Sequence, residues 1–465
     1  MFVKRTKTWA TVYTLLWLLS TYAHAFSAYS NDELDQLERT FIQEINLSDS
    51  VVRDPLANDY INHIAKVLAE HGDLPQPYFF IVKSNEINAF AGPGGYIGVN
   101  TQLILTSDTE SELAAVMAHE MSHVRQHHLY RMLEHQKQMR IPMLATILAA
   151  AALGVLNPAL SSGALMGALS GFAQDNINFV RANEKEADSI GINMLTQSGF
   201  DPRGMAGFFK KMQESSRYRY TENIPAILRT HPLDEDRIAE AEGRAASAAL
   251  HQTYPDQLPY QLFKELIRNT VSTHQKQSLD DYRYRCAHHN ADKACHYGYA
   301  LSLIHNNQYP QALQQLKPLL AADPNNLYYV IALTTIYKEQ SQPAQAVTIL
   351  RDFYANFPDS YAVLAEYSDA LVAANQSDKA VSLLLIGNRQ FKNDLPLCNR
   401  LARAEAASHH MGYAYFTLAE CHLLQGETHD AMRQLKLAKT FAQTDHLLQA
   451  RIAAKIDVIT QNTPK

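Results

Sequence analysis

Leu113-Ala114-Ala115-Val116-Met117-Ala118-His119-Glu120-Met121-Ser122-His123 is the stretch on which the reading of this chain turns. It lies in a predicted helix from about Asp108 to Arg131, with Asp108 or Ser107 as N-cap and the acids Glu110 and Glu112 in its first turn. On a helix, positions i and i+4 project almost together, so His119 and His123 can offer two imidazoles to one metal ion. Glu120 then faces the open side of that ion, placed to take a proton from bound water. Zinc lowers the pKa of such a water towards about 7, which makes a nucleophile for a peptide carbonyl at neutral pH. The pattern H-E-x-x-H is weak by itself in a chain with 20 histidines.

A matching element downstream makes it specific. Glu184-Lys185-Glu186-Ala187-Asp188 lies on another predicted helix, and there Glu184 would complete a His, His, Glu ligand set. One position stays open for water, as catalytic rather than structural zinc requires. Asp188, one turn on, would fix a histidine tautomer from behind. Upstream, helix-period apolar residues mark 31–47 and 54–71, and Tyr78 to Val82 reads as a strand. A second strand, Ile87 to Ala91, turns at Gly92-Pro93-Gly94-Gly95 into a third, Tyr96 to Asn100. An exposed edge at Asn88, Ala89, Phe90 and Ala91 would bind an extended peptide through main-chain hydrogen bonds and tolerate many sequences; an ordinary covered strand is the plainer alternative.

Taken in order, these motifs resemble the CAAX prenyl endopeptidase family of zinc peptidases over roughly residues 80 to 240. Asn88 to Ala91 with Pro93-Gly94-Gly95 looks like the strand and turn before that family's catalytic helix, and Thr230-His231-Pro232 with Arg237 looks like its late His-Pro element. The resemblance implies a gluzincin-like metallopeptidase domain holding one Zn2+ on His119, His123 and Glu184, with Glu120, Asp188, His231 and Arg237 as its catalytic groups. Two duties stay open for the late element, beside the plainer reading of a merely structural His-Pro turn. His231 or Arg237 would stabilise the oxyanion, or a neutral His231 would occupy zinc's fourth position as a latch.

The second half reads differently. Ala312, Ala346 and Ala380 step by 34, as do Pro324 and Pro358, and the small residues Ala300, Thr334 and Ser368 follow. This period resembles the tetratricopeptide repeat, an α-solenoid whose units stack to form one core and present a concave surface to protein segments. The register reads as lost after Ala380, with Ala431 as the next comparable residue and an extra helix near 398–410 absorbing the offset. The expected fold is therefore mainly α with a small β-sheet: metallopeptidase at 26–250, repeats at 265–465.

Lys4, Arg5 and Lys7, the apolar run Trp9 to Leu19 and Ala23-His24-Ala25 read as a signal peptide at 1–25, cleaved after Ala25, which would take the formal charge from -6 to -9. That balance argues against nucleic acid. Export implies an oxidising compartment, so Cys286 is expected to pair with Cys295 and Cys398 with Cys421, because repeat helices touch only their neighbours. No C-x-x-C spacing supports a structural zinc there. Residues 141–173 carry no charge and read as a hairpin of two short helices, either core or a lid or peripheral membrane contact. Among family members, the whole chain resembles secreted, repeat-bearing enzymes. That implies a periplasmic protease that assists unfolded or stalled outer-membrane β-barrel proteins, degrades them, and docks to the barrel assembly machinery through the repeats. The rival is a non-proteolytic periplasmic chaperone or scaffold acting through the repeats.

Overall fold

A strand without polar residues needs cover on both faces, and β1 (Tyr78–Val82) has it. Phe79 and Ile81 point into the main core, while Phe80 and Val82 pack with Phe41 and Ile45 of α1 (Asn31–Leu47). Helix α1 starts on a capping box in which the Ser30 hydroxyl accepts from the Glu33 N–H. The computed structural model describes residues 30–72, 77–132, 174–217, 225–247, 257–288 and 292–462. The predicted leader, the apolar segment 141–173 and the expected boundary at residue 250 lie outside the described residues. Among the described residues no helix is long and apolar enough to cross a membrane.

The sheet has the order β1-β3-β2, with β3 (Tyr96–Asn100) parallel to β1 and antiparallel to β2 (Ala89–Ala91). Strand β2 starts later than its predicted Ile87, because the Ile87 carbonyl accepts the Ile227 N–H from another segment at 3.1 Å. The turn into β3 uses Gly94 and Gly95 at φ 70° and 80°. Behind the sheet lie α2 (Pro55–Gly72), α3 (Thr101–Thr106) and α4 (Glu110–Arg125).

Helix α4 departs from expectation at both ends. Ser107 closes α3, its N–H bonded to the Leu103 carbonyl, so Thr109 rather than Ser107 or Asp108 caps α4 by accepting from the Glu112 N–H. The helix stops at Arg125, His127 takes a left-handed φ of 52°, and helix resumes over residues 128–132. Next come α5 (Gln174–Gln197), α6 (Arg203–Arg217), α7 (Ala226–Thr230), α8 (Glu235–Ser247), α9 (Leu258–Val271) and α10 (Gln275–His288).

The repeats follow as helix pairs: α11 (Lys293–His305) with α12 (Tyr309–Ala322), α13 (Leu327–Glu339) with α14 (Pro343–Asn356), α15 (Tyr361–Ala373) with α16 (Ser377–Gln390), and α17 (Leu395–Ala407) with α18 (Met411–Leu424). Helices α19 (Thr428–Phe441) and α20 (His446–Asn462) complete the array. The step of 34 does not end at Ala380: Ala414 and Ala402 continue both small-residue series and are buried like their predecessors. The helix near 398–410 is thus the regular first helix of a fourth pair, and Ala431 lies half a period further, on the next helix. Local chemistry repeats with the same step. Asp292, Asn326, Ser360 and Asp394 each cap the first helix of a pair, and Asn307, Ser341, Asn375 and His409 take the left-handed turn residue between its two helices.

Both disulfides join neighbours, Cys286–Cys295 across α10 and α11 and Cys398–Cys421 across α17 and α18. The array also bends back onto the first half. Ser360 Oγ donates to Asp59 Oδ2 at 2.7 Å, and Asn46 Nδ2 to the Leu424 carbonyl at 2.9 Å. One apolar cluster runs without interruption from Val52 through the sheet and α9 to Ala362, so the two halves share a core.

Glu405 on α17 is buried with Oε2 unpartnered, and burial pushes its carboxyl up from 4.5 to about 7. A raised folded pKa means that its contribution is fully present below pH 4.5 and is lost as pH rises through about 7, worth about 3 kcal/mol in all. Glu405→Gln is expected to stabilise the protein by roughly that amount at pH 8 and by little at pH 5. Denaturant melts at the two pH values check it, and an equal effect at both would refute the assignment.

Candidate active site

Helices α4 and α5 cross closely because their contact is made of small residues. Ala118 and Ala187 are fully buried, and a Cβ on Gly191 would come within 3.3 Å of the Ala118 carbonyl carbon and the His119 nitrogen. That approach sets Glu184 and Asp188 against His119 and His123. His119 Nε2 lies 2.9 Å from His123 Nε2 and 3.4 Å from Glu184 Oε2, while His123 Nε2 lies 3.5 Å from Glu184 Oε1. His231, at the end of α7, joins them: its Nδ1 is 3.0 Å from Glu184 Oε1 and 3.3 Å from His119 Nε2. One ligand atom from each of these four residues falls within 4.8 Å of all the others.

Three imidazole nitrogens and a carboxylate, all facing inward from buried or half-buried side chains, form a donor set suited to a divalent ion such as Zn2+. Burial alone would lower His119, yet Asp188 and Glu184 outweigh it and push the ring up to about 10. Burial alone would raise Glu184, but His231, His119 and His123 hold it well below the usual carboxylate range. His123 is pushed well down by burial, which leaves a neutral ring with a lone pair to offer. Glu120 is 1% exposed, and neither of its oxygens has a hydrogen-bond partner. His231 Nε2 lies 3.4 Å from Glu120 Oε1, a charge contact without a hydrogen bond. A buried carboxylate whose oxygens accept no hydrogen bond, beside an inward-facing donor set, is the arrangement a bound ion and its water would satisfy.

Asp188 holds His119 from behind, accepting from Nδ1–H at 2.9 Å, so Nε2 is the nitrogen turned towards the cluster and would ligate once an ion displaces its proton. Arg237 then clamps Asp188, with Nε to Oδ2 at 2.7 Å and Nη2 to Oδ1 at 2.8 Å. Its Nη1 reaches Glu184 Oε2 at 3.0 Å and the Pro232 carbonyl at 2.6 Å. Arg237 is therefore engaged with the carboxylates and the His-Pro turn, and it does not stand free as an oxyanion donor. Ala89 is fully buried, Asn88 nearly so, and Phe90 and Ala91 are half-buried. Asn88 accepts from Asn100 and Phe90 sits opposite Gly98, so the alternation turns the backbone groups of Ala89 and Ala91 to the outer edge of the sheet.

Sequence reading missed His128, Glu186 and Arg131. His128 Nδ1 lies 2.7 Å from His123 Nδ1, its Nε2 lies 3.2 Å from Glu186 Oε2, and Arg131 Nη2 donates to the same oxygen at 2.8 Å. With the His123 Nε2 lone pair facing the cluster, its Nδ1–H donates to His128, whose Nε2–H donates to Glu186. On an uninterrupted helix, residues five apart point about 140° away from each other, so a helix running to Arg131 would hide this contact. The left-handed His127 resets the phase and turns His128 back.

Paired helices bearing such a centre are those of a metallopeptidase. The profile of peptidase family M48 matches residues 55–245, and the chain belongs to that family, within the group of the beta-barrel assembly-enhancing proteases. It is 33% identical to the beta-barrel assembly-enhancing protease of Escherichia coli (strain K12), the alignment covering 92% of this chain and 88% of the relative. With the protein of the same name from Yersinia pestis it shares 31% identity over 90% and 86% of the two chains. Metalloprotease LoiP of Escherichia coli (strain K12) is 28% identical, over 50% of this chain and 88% of its own length.

Loss of an outer partner of a ligand histidine typically costs about 10–100-fold in metal affinity. His128→Ala is expected to weaken Zn2+ binding within that range, measured by competition with a chromogenic chelator, while His127→Asn, which keeps the left-handed backbone, leaves the ligand rings supported and changes it less.

Proposed function

We propose that this protein is a zinc-dependent endopeptidase of the bacterial periplasm that cleaves outer-membrane β-barrel proteins when their assembly stalls, and assists that assembly. The observation that carries the peptidase reading is the convergence of His119, His123, Glu184 and His231 beside an unpartnered, buried Glu120. In it, His119, His123 and Glu184 hold Zn2+, which when bound supplies Lewis acidity and an acidified water. Glu120 accepts the proton from the attacking water and returns it to the leaving amine. Asp188 and Arg237 keep His119 in the ligating tautomer and orient Glu184. The outer edge of β2, through the half-buried Ala91, holds the substrate extended.

His231 acts as a latch in this reading, since its Nδ1 lies 3.3 Å from His119 Nε2 and would be a fourth donor to an ion held by His119, His123 and Glu184. A bound substrate would have to move His231 out of the donor set before its carbonyl could approach the ion that His119, His123 and Glu184 would hold. The peptidase unit spans 26–250 and the repeat array 265–465, with a signal peptide at 1–25 directing export. Barrel substrates and the periplasmic setting rest on the names of the relatives, the signal-like N-terminus and the two disulfides. The repeats supply a docking surface for the assembly machinery. A scaffold without proteolysis would have no use for the intact donor set and Glu120.

Glu120→Gln is expected to keep the fold and bound zinc while lowering casein cleavage by at least ~100-fold. Casein digestion with metal analysis checks it; retained chelator-sensitive cleavage in this variant would sink the assignment of the base. His231→Ala is expected to cleave severalfold faster than the parent at equal zinc content. Slower turnover with zinc intact would instead make His231 the oxyanion donor.

A further inference from the structure

We propose that the C-terminal tip of the repeat array is an interfacial surface that rests on anionic phospholipid headgroups. Helix α19 turns one face inward, where Ala431, Leu435 and Ala438 are fully buried. On its outer face stand Leu437 and Phe441, one turn apart and 38% and 54% exposed. Phe441 stacks on Tyr415 of α18 with 5.4 Å between ring centroids. The turn after α19 then sets Leu447, 69% exposed, in the first turn of α20. Helix α20 closes the array, and the closing helix of stacked repeats needs a polar outer face to stay soluble. Leu447 and Val458 break that rule, both more than half exposed.

Charge decides what such a surface meets. The acids of α19 and of the turns at its two ends are engaged: Glu427 with His422 at 2.6 Å, Asp430 with Arg433 at 2.9 Å, and Asp445 with the Tyr413 hydroxyl at 2.7 Å and the Leu448 N–H at 2.9 Å. Lys436 and Lys439 are exposed, and neither is paired with a carboxylate among the described residues. By the helical period, the outer surface of α19 runs from an apolar edge at Leu437 and Phe441, across Arg433 and Lys436, to Lys439.

An anionic bilayer fits that order. Leucine and phenylalanine enter the boundary between headgroups and acyl chains, while lysine stems lie along it and carry their ammonium groups to lipid phosphates. A second copy seated about a two-fold axis would instead bring these unpaired lysines towards their own counterparts with no acid to offset them. A peptide partner is held by a groove or a sheet edge, whereas these side chains stand out from the surface of a helix. The contact holds the last helices of the array at a membrane surface and the peptidase half with them, because the two halves share a core.

The test is co-sedimentation of the full mature protein, loaded with zinc, with vesicles of phosphatidylcholine alone or of phosphatidylcholine mixed with phosphatidylglycerol. Binding to the anionic vesicles is expected to be at least about tenfold tighter than to the neutral ones, and to fall as salt is raised. Lys436→Glu combined with Lys439→Glu is expected to remove that preference, with the helical circular dichroism signal unchanged. Leu437→Ser combined with Phe441→Ser is expected to weaken binding to the anionic vesicles about tenfold. Equal binding to the two kinds of vesicle, or none to either, overturns the proposal. An anionic preference that survives the lysine pair places the contact elsewhere and overturns it too. The two lysines are exposed and unpaired, so their replacement leaves the packing intact and decides the matter should the serine pair not fold. Self-association in sedimentation velocity that the serine pair abolishes, without any lipid binding, assigns the patch to a second copy and refutes the lipid reading.

Discussion

Asp188 and Arg237 form a buried ion pair on which the geometry of the centre depends. Neither charge would be stable alone at that depth, and each is held by more than the other. Asp188 also takes the His119 ring, and Arg237 also takes Glu184 and the Pro232 carbonyl. Three stretches of chain far apart in sequence are thereby joined at one guanidinium: α4, α5 and the turn that carries His231. Removing either charge would leave the other buried, and removing Arg237 would also free the His-Pro turn from its anchor.

The two histidines of α4 are supported in unlike ways. His119 leans on a carboxylate fixed by an arginine, whereas His123 leans on a second imidazole, with Glu186 and Arg131 behind it. The first support raises the basicity of its ring, and the second leaves a neutral ring neutral. An ion between them would meet two nitrogen donors of different strength with the Glu184 charge opposite. Apolar side chains of α6 pack directly beside this polar cluster, so His119 meets charge from α5 on one side and hydrocarbon from α6 on the other.

The repeats are more than an appendage. Their first units continue the core of the peptidase half, and Asp59 and Asn46 bind the array where it returns. The helices on which the returning array rests therefore also border the sheet. Within the array, caps, turn residues and small contact residues all recur at one step, so each pair repeats the same local solution of how to start, turn and cross.

Much of this was legible along the chain. The i, i+4 spacing of His119 and His123, the later acids Glu184 and Asp188, and the alanine period of 34 are local patterns, because a helix converts fixed spacing into a shared face. The disulfide partners followed from the rule that stacked helices meet only neighbours. What spacing could not express was a change of phase or a contact between distant segments. His128 reaches His123 only because His127 leaves the right-handed helix, and Arg237 reaches Asp188 only because α8 packs across α5. The fourth repeat was obscured because successive helices offer small residues half a period apart, and the cap at Asp394 and the left-handed His409 place Ala414 in the series. Sequence determined which residues share a helix face; tertiary structure decided which faces meet, because that depends on the close approach allowed at Gly191 and Gly204 and on where buried charges find partners.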